Sequence, residues 1–206
     1  EQPEKKFTNY LIFVSYFPNI LAGPITKARD FIPQLNNFKG ITKKEISLAV
    51  FLISCGLIKK IAIADFISAN ITDRVFESPQ FFTSLDLLMS AYAGLLQLFF
   101  DFSGYTDMAV GISLLLGIGI SGNFNQPFKA GNISSFWKRW HISLYSWLSD
   151  YVHQPIAFAL RKYKMTGAVI AIFLTFLISG LWHGPNWTYV IWGGLHGTAI
   201  VLEMIT

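Results

Sequence analysis

From Met165 to Leu202 the chain runs without a single Asp, Glu, Lys or Arg. A bilayer crossing takes about 20 mostly apolar residues, so this one stretch could hold nearly two crossings. Pro185 in the string LWHGPN cannot continue a helix. We therefore expect one helix from about Thr166 to Trp182 and a second from about Trp187 to Ile205, hinged at HGPN. Two further charge-free windows run from Phe7 to Thr26 and from Met108 to Phe128. Two apolar stretches carry charge: Ile46 to Ile67 contains Lys59 and Lys60, and Leu85 to Leu116 contains Asp101 and Asp107. Lysines can snorkel to an interface, whereas acids at depth are costly and usually face a protein interior or an aqueous cavity. Four or five crossings are expected in all.

Composition supports the same reading. Of 206 residues, 52% are hydrophobic and 14% charged, where soluble domains carry about 25% charged residues. Mean hydropathy is +0.45. Such a balance argues against disorder and against nucleic acid as a partner. The net charge of +4 rests on scattered basic residues, which in a membrane protein belong to cytoplasmic loops and lipid headgroups. Short alternating strands are missing, so we expect an all-α, polytopic membrane protein embedded in the lipid bilayer. Residues 1–206 read as a single transmembrane domain without internal repeats. A first residue Glu1 and an apolar stretch broken only by Thr206 are what a fragment truncated at both ends would show. Cys55, the sole cysteine, is expected to pack as a small hydrophobe.

Between the apolar stretches lie polar connectors. The longest, from Ser121 to Pro155, is aromatic and amphipathic, combining Trp137, Trp140 and Trp147 with Lys138 and Arg139. That mixture suits helices lying at the interface or dipping partway into it. Asn132 or Ser134 is expected to cap its first helix. Helical spacing would put Trp137 and His141 on one face, with Lys138 and Arg139 pointing elsewhere.

The sequence contains no CxxC, no HExxH, no phosphate-cradling glycine loop and no GxSxG elbow, and we expect no metal. Histidine remains as the group able to take and return a proton near neutral pH. His183 follows an uncharged apolar helix and precedes a Gly-Pro break; it is either a proton-transfer group at a helix end or an imidazole satisfied by a carbonyl there. His141 in KRWHISL divides in the same way. His153 reads as a loop residue before Gln154-Pro155, and His196 as a helix-packing residue among Gly193, Gly194 and Gly197. Asp101 and Asp107 in DFSGYTD could relay protons or ions, or could bond Ser103, Tyr105, Thr106 and backbone groups around a helix break at Gly104.

An ordered set of strings carries a resemblance: YFPNILAGPI, GLIKKIAIAD, FFDFSGYTDMAVGISLLLGI, NFNQPF, SSFWKRWHISL, WLSDYV and SGLWHGPNWTYVIWGGLHG. Over roughly Tyr16 to Gly197 the chain resembles the membrane-bound O-acyltransferase (MBOAT) family, in its bacterial branch of alginate O-acetylation and teichoic-acid D-alanylation membrane proteins. The resemblance implies many helices around a tunnel, with re-entrant segments and two histidines near its narrow middle. His183 of LWHG matches the family's catalytic histidine and His141 of FWKRWHIS the second histidine of the branch. Trp137, Arg139, Trp140, Trp182 and Asn186 become expected tunnel residues; Asp101, Ser103, Tyr105 and Asp107 are expected to brace the core.

The implied activity is transfer of an acetyl group from a cytoplasmic thioester, acetyl-CoA, toward an exported polysaccharide or an extracytoplasmic acetyltransferase. No bound cofactor is expected, and the implied location is the bacterial inner membrane, alongside polysaccharide-export partner proteins. D-alanyl transfer to teichoic acids and a non-enzymatic transporter are the alternatives. After WLSDYV the chain reads VHQPIAFALRKYKMTG in place of the glycine-rich stretch of alginate-type relatives, which leaves alginate itself open as the acceptor.

Overall fold

The computed structural model describes residues 4–38 and 40–205. Among them the secondary structure is entirely helical, without strands. The chain packs as two units, Glu1–Gly122 and Asn123–Thr206.

The first unit opens with three short helices, α1 (Phe7–Val14), α2 (Phe17–Ile20) and α3 (Ala28–Asn36). The charge-free window from Phe7 to Thr26 is therefore not one crossing. Tyr16 is extended between α1 and α2, and Pro18 sits in the first turn of α2, where its missing amide donor is not needed. Tyr16, Phe31 of α3 and Ile118 form a small buried core, with the Tyr16 and Phe31 rings 4.7 Å apart. Gln34 locks the segment behind Ile118: its Nε2 donates to the Gly119 carbonyl at 3.0 Å while its Oε1 accepts from the Gly119 amide at 2.8 Å.

Two long helical spans follow. The first, Lys43–Glu77, starts as α4 (Lys43–Leu57), passes through a π-helical segment Ile58–Ala64, α5 (Asp65–Ile67) and a second π-helical segment Ser68–Thr72, and ends as α6 (Asp73–Glu77). The second is α7 (Ser84–Leu115). Each begins with a capping box, Thr42 with Glu45 and Thr83 with Asp86, which satisfies otherwise orphaned amides at the helix start. The window from Met108 to Phe128 holds only the end of α7, which stops at Leu115.

Contrary to the expected break at Gly104, α7 runs straight through it. The glycine serves close approach: a Cβ there would lie 2.8 Å from the Gly56 carbonyl oxygen of α4, and one on Gly56 would lie 2.5 Å from the Gly104 carbonyl oxygen. On either side of this contact the spans pair their charges. Lys59 Nζ meets Asp107 Oδ2 at 2.5 Å, and Lys60 Nζ meets Asp101 Oδ1 at 2.6 Å and Asp65 Oδ1 at 2.8 Å. An unpaired charge at the centre of a spanning helix costs about 2.5–3.5 kcal/mol on insertion scales, and pairing explains how both spans tolerate theirs.

In the second unit, 3-10 and short helices lead to two long ones. The connector forms α8 (Ile133–Trp137), α9 (Ile142–Leu148), a π-helical segment Ser149–His153 and α10 (Gln154–Ala159). Asn132 caps α8, its Oδ1 accepting from the Ser135 amide at 2.8 Å, and Glu203 adds an acceptor for the Ser134 amide at 3.0 Å. His153 thus lies in helical geometry, not in a loop. Then come α11 (Lys164–His183) and α12 (Trp187–Ile205), matching the expected pair to within two residues at each end. Among the described residues four helices are long and apolar enough to cross a membrane: Lys43–Glu77, Ser84–Leu115, Arg161–His183 and Trp187–Ile205. Large apolar side chains such as Phe51, Ile61, Leu88, Leu181 and Leu195 point outward from them, which is the arrangement a lipid solvent requires.

The α11–α12 hairpin is packed backbone to backbone. A Cβ on Gly180 would collide with the Tyr189 carbonyl oxygen, and one on Gly193 with the Phe176 carbonyl oxygen. Overpacking of this kind costs typically about 1–3 kcal/mol, and backbone cannot move aside as a flexible side chain can. We predict that Gly193→Val lowers the thermal unfolding temperature in detergent by several degrees, while Gly194→Val, whose Cβ would make only an ordinary contact with Leu177, leaves it nearly unchanged. Equal melting of the two variants would contradict this packing.

Candidate active site

The hairpin brings a set of aromatic and imidazole rings together. His183 is the last residue of α11; a Cβ on the next residue, Gly184, would lie 2.7 Å from the Tyr189 ring, so glycine there lets α12 fold back over the helix end. The His183 ring lies 4.9 Å from Trp182, 5.3 Å from Trp192 and 6.3 Å from Tyr189, the last nearly parallel. Trp192 also packs on His196 at 4.8 Å, and both meet Trp137, at 5.4 and 4.9 Å. His141 also packs against Trp182, at 5.9 Å. The two expected catalytic imidazoles therefore share one indole as a neighbour. Trp182 and His183 are exposed on this unit and His141 is buried.

His141 does not share a helical face with Trp137. Helix α8 ends at Trp137, and His141 adopts a left-handed backbone, φ 47° and ψ 53°, as the residue before α9. That conformation is uncommon for a residue with a Cβ and marks a backbone held by its surroundings. The holding group is Asn123, fully buried. Its carbonyl accepts from the Ile142 amide at 2.9 Å and its Oδ1 accepts from the Ser143 amide at 3.1 Å. The kink sends Trp137 toward α12 and His141 toward Trp182.

The other expected residues separate. Trp140 is buried among Phe124, Phe128 and Phe136, at 5.1, 6.2 and 5.6 Å, and forms the connector's own core. Arg139 gives its carbonyl to the Asn125 amide at 3.0 Å. Asn186 caps α12, its Oδ1 accepting from the Thr188 amide at 3.1 Å. Asp101, Ser103, Tyr105 and Asp107 all belong to α7, with Ser103 buried and the acids paired with Lys60 and Lys59. Among the described residues no three His, Cys, Asp or Glu side chains gather into a group able to hold a metal ion. Sequence reasoning missed Asn123, Trp192 and Tyr189; the NFNQPF string contained the first, but nothing in its spacing tied it to His141.

A model of the membrane-bound O-acyltransferase family matches residues 5–206. The chain belongs to this family. It is 41% identical over 196 residues to a peptidoglycan O-acetyltransferase of Helicobacter pylori, covering 94% of this chain and 37% of that protein. To a probable alginate O-acetylase AlgI of Azotobacter vinelandii it is 39% identical over 206 residues, 97% of this chain and 39% of the relative. To a teichoic acid D-alanyltransferase of Bacillus subtilis it is 36% identical over 197 residues, 90% and 49% respectively. The chain thus spans about two-fifths to one half of the length of these family members.

Burial, with a smaller push from His183, lowers the His141 pKa from 6.5 to about 4. The buried ring is therefore neutral at physiological pH, with one nitrogen donating and the other accepting. Because the folded pKa is depressed, the stability contributed by the neutral ring is complete above about pH 6.5 and is lost as pH falls toward about 4. We predict neutral-imidazole 15N resonances for His141 at about pH 5.5, where an unperturbed histidine is mostly charged. A charged ring at that pH would contradict the buried placement.

Proposed function

We propose that this chain forms the acyl-transfer centre of an inner-membrane O-acyltransferase. Its donor is a cytoplasmic thioester, acetyl-CoA, and its acceptor a hydroxyl of an exported polysaccharide, reached directly or through a serine of an extracytoplasmic acetyltransferase. The observation that carries this reading is the pair of imidazoles that both pack near Trp182, one exposed at a helix end and one buried. His183 takes the proton of the attacking hydroxyl as its oxygen bonds to the thioester carbonyl carbon. The C–S bond then breaks, and the same proton passes to the leaving thiolate. Neutral His141 orients the acyl carbonyl by donating a hydrogen bond. Trp192 and Trp137 pack beside the imidazoles and limit the approach of water from their side, and Arg139 and Asn186 lie in the segments that would border the passage. A tunnel through the membrane would let donor and acceptor reach this one centre from opposite sides. Higher identity to O-acetylating relatives than to the D-alanyltransferase supports acetyl as the group moved.

The test supplies acetyl-labelled acetyl-CoA to membranes containing the protein and follows label into extracellular polysaccharide. Positioned proton transfer is worth about 10²–10⁴-fold, so His183→Ala should lower incorporation by at least about a hundredfold with the protein still folded. Wild-type incorporation by His183→Ala would refute its role as base. Label delivered from a D-alanyl carrier protein and not from acetyl-CoA would replace acetyl with D-alanyl.

A further inference from the structure

The segment before His141 has two backbone geometries open to it. Continued helix from Ile133 through Leu148 would put Trp137 and His141 on one face, as their spacing alone requires. The observed chain instead breaks after Trp137 and turns left-handed at His141, and the break is what carries the imidazole to Trp182. Residues around the break and the NFNQPF segment are joined by two backbone hydrogen bonds: the Asn125 amide donates to the Arg139 carbonyl at 3.0 Å, and the Ile142 amide donates to the Asn123 carbonyl at 2.9 Å. Phe124 and Phe128 of the same segment pack on Trp140. All of these contacts use backbone or apolar rings except one. The Ser143 amide, an orphan donor at the start of α9, is accepted by Asn123 Oδ1 at 3.1 Å, and His141 offers no side-chain cap in its place.

We infer that Asn123 is a positioning residue for His141: its buried side-chain oxygen caps α9 from outside the helix and thereby holds the left-handed turn that aims the imidazole at Trp182. This inference rests on the catalytic reading of His141 for its effect on turnover, but the geometry it describes is separate. Asn123→Ala removes the side-chain amide, including the oxygen that accepts from Ser143, while the backbone carbonyl that holds Ile142 remains. Asn123→Asp keeps an acceptor oxygen in the same place, and burial there favours its uncharged carboxyl form. If Asn123→Ala does not fold, Asn123→Gln, which displaces that oxygen by one methylene, replaces it with the same expectations.

The experiment measures kcat and KM for the acyl thioester in membranes, with histidine 15N resonances recorded on the same proteins. A displacement of about 1 Å at a catalytic group can cost about a hundredfold. Asn123→Ala is expected to lower kcat at least about tenfold with KM within about twofold, and Asn123→Asp to recover most of the loss. In a His141→Ala background, Asn123→Ala should cost less than about twofold, because the group it positions is gone. The His141 resonances should shift in Asn123→Ala and move back in Asn123→Asp. Unmoved resonances, or an equal loss of kcat in both backgrounds, would overturn the proposal. Full turnover by His141→Ala would instead overturn the catalytic reading, while the resonances would still decide whether Asn123 sets the imidazole.

Discussion

The candidate site depends on how closely two backbones can approach. In lipid, apolar side chains gain nothing by leaving solvent, and helices associate through van der Waals contact and polar pairing. Gly180 and Gly193 let α11 and α12 touch through their main chains. Because they do, rings from the end of one helix interleave with rings from the start of the next: His183 lies between Trp182 of its own helix and Trp192 and Tyr189 of its neighbour. A hairpin splayed by a single methyl group would open that set. The first unit applies the same rule at Gly56 and Gly104, and adds the lysine–aspartate pairs that neutralise charge along the two spans.

Much of the fold was legible in the sequence because hydrophobic length and proline punctuation act locally. The α11–α12 hairpin, its hinge at HGPN and the Asn132 cap all follow from neighbours in the chain. What the sequence did not disclose depends on residues far apart. Gly104 looked like a helix breaker and is a packing contact with Gly56; Asp101 and Asp107 looked available for their own helix and pair with Lys60 and Lys59. The site shows the same division. His183 at a helix end was visible in its own string, whereas the position of His141 is fixed by Asn123, and helical periodicity pointed to the wrong face.

The chemistry proposed for the pair follows from their unlike surroundings. His141 is buried and neutral, suited to donate a hydrogen bond without charging. His183 is exposed at the helix end and open to an incoming hydroxyl. The rings of Trp182 and Trp192 pack on the His183 imidazole and narrow the directions from which a reactant can approach it. The long connector, through its kink, joins this chemistry to the fold.

The central claim is that both imidazoles act on one acyl group. It is tested most directly by single-turnover acyl transfer in wild type, His141→Ala, His183→Ala and the double variant. Residues that act as a unit lose their joint contribution when either is removed. The account predicts that the double variant is no more than about twofold slower than the slower single variant. Losses that multiply would show two independent contributions and contradict it.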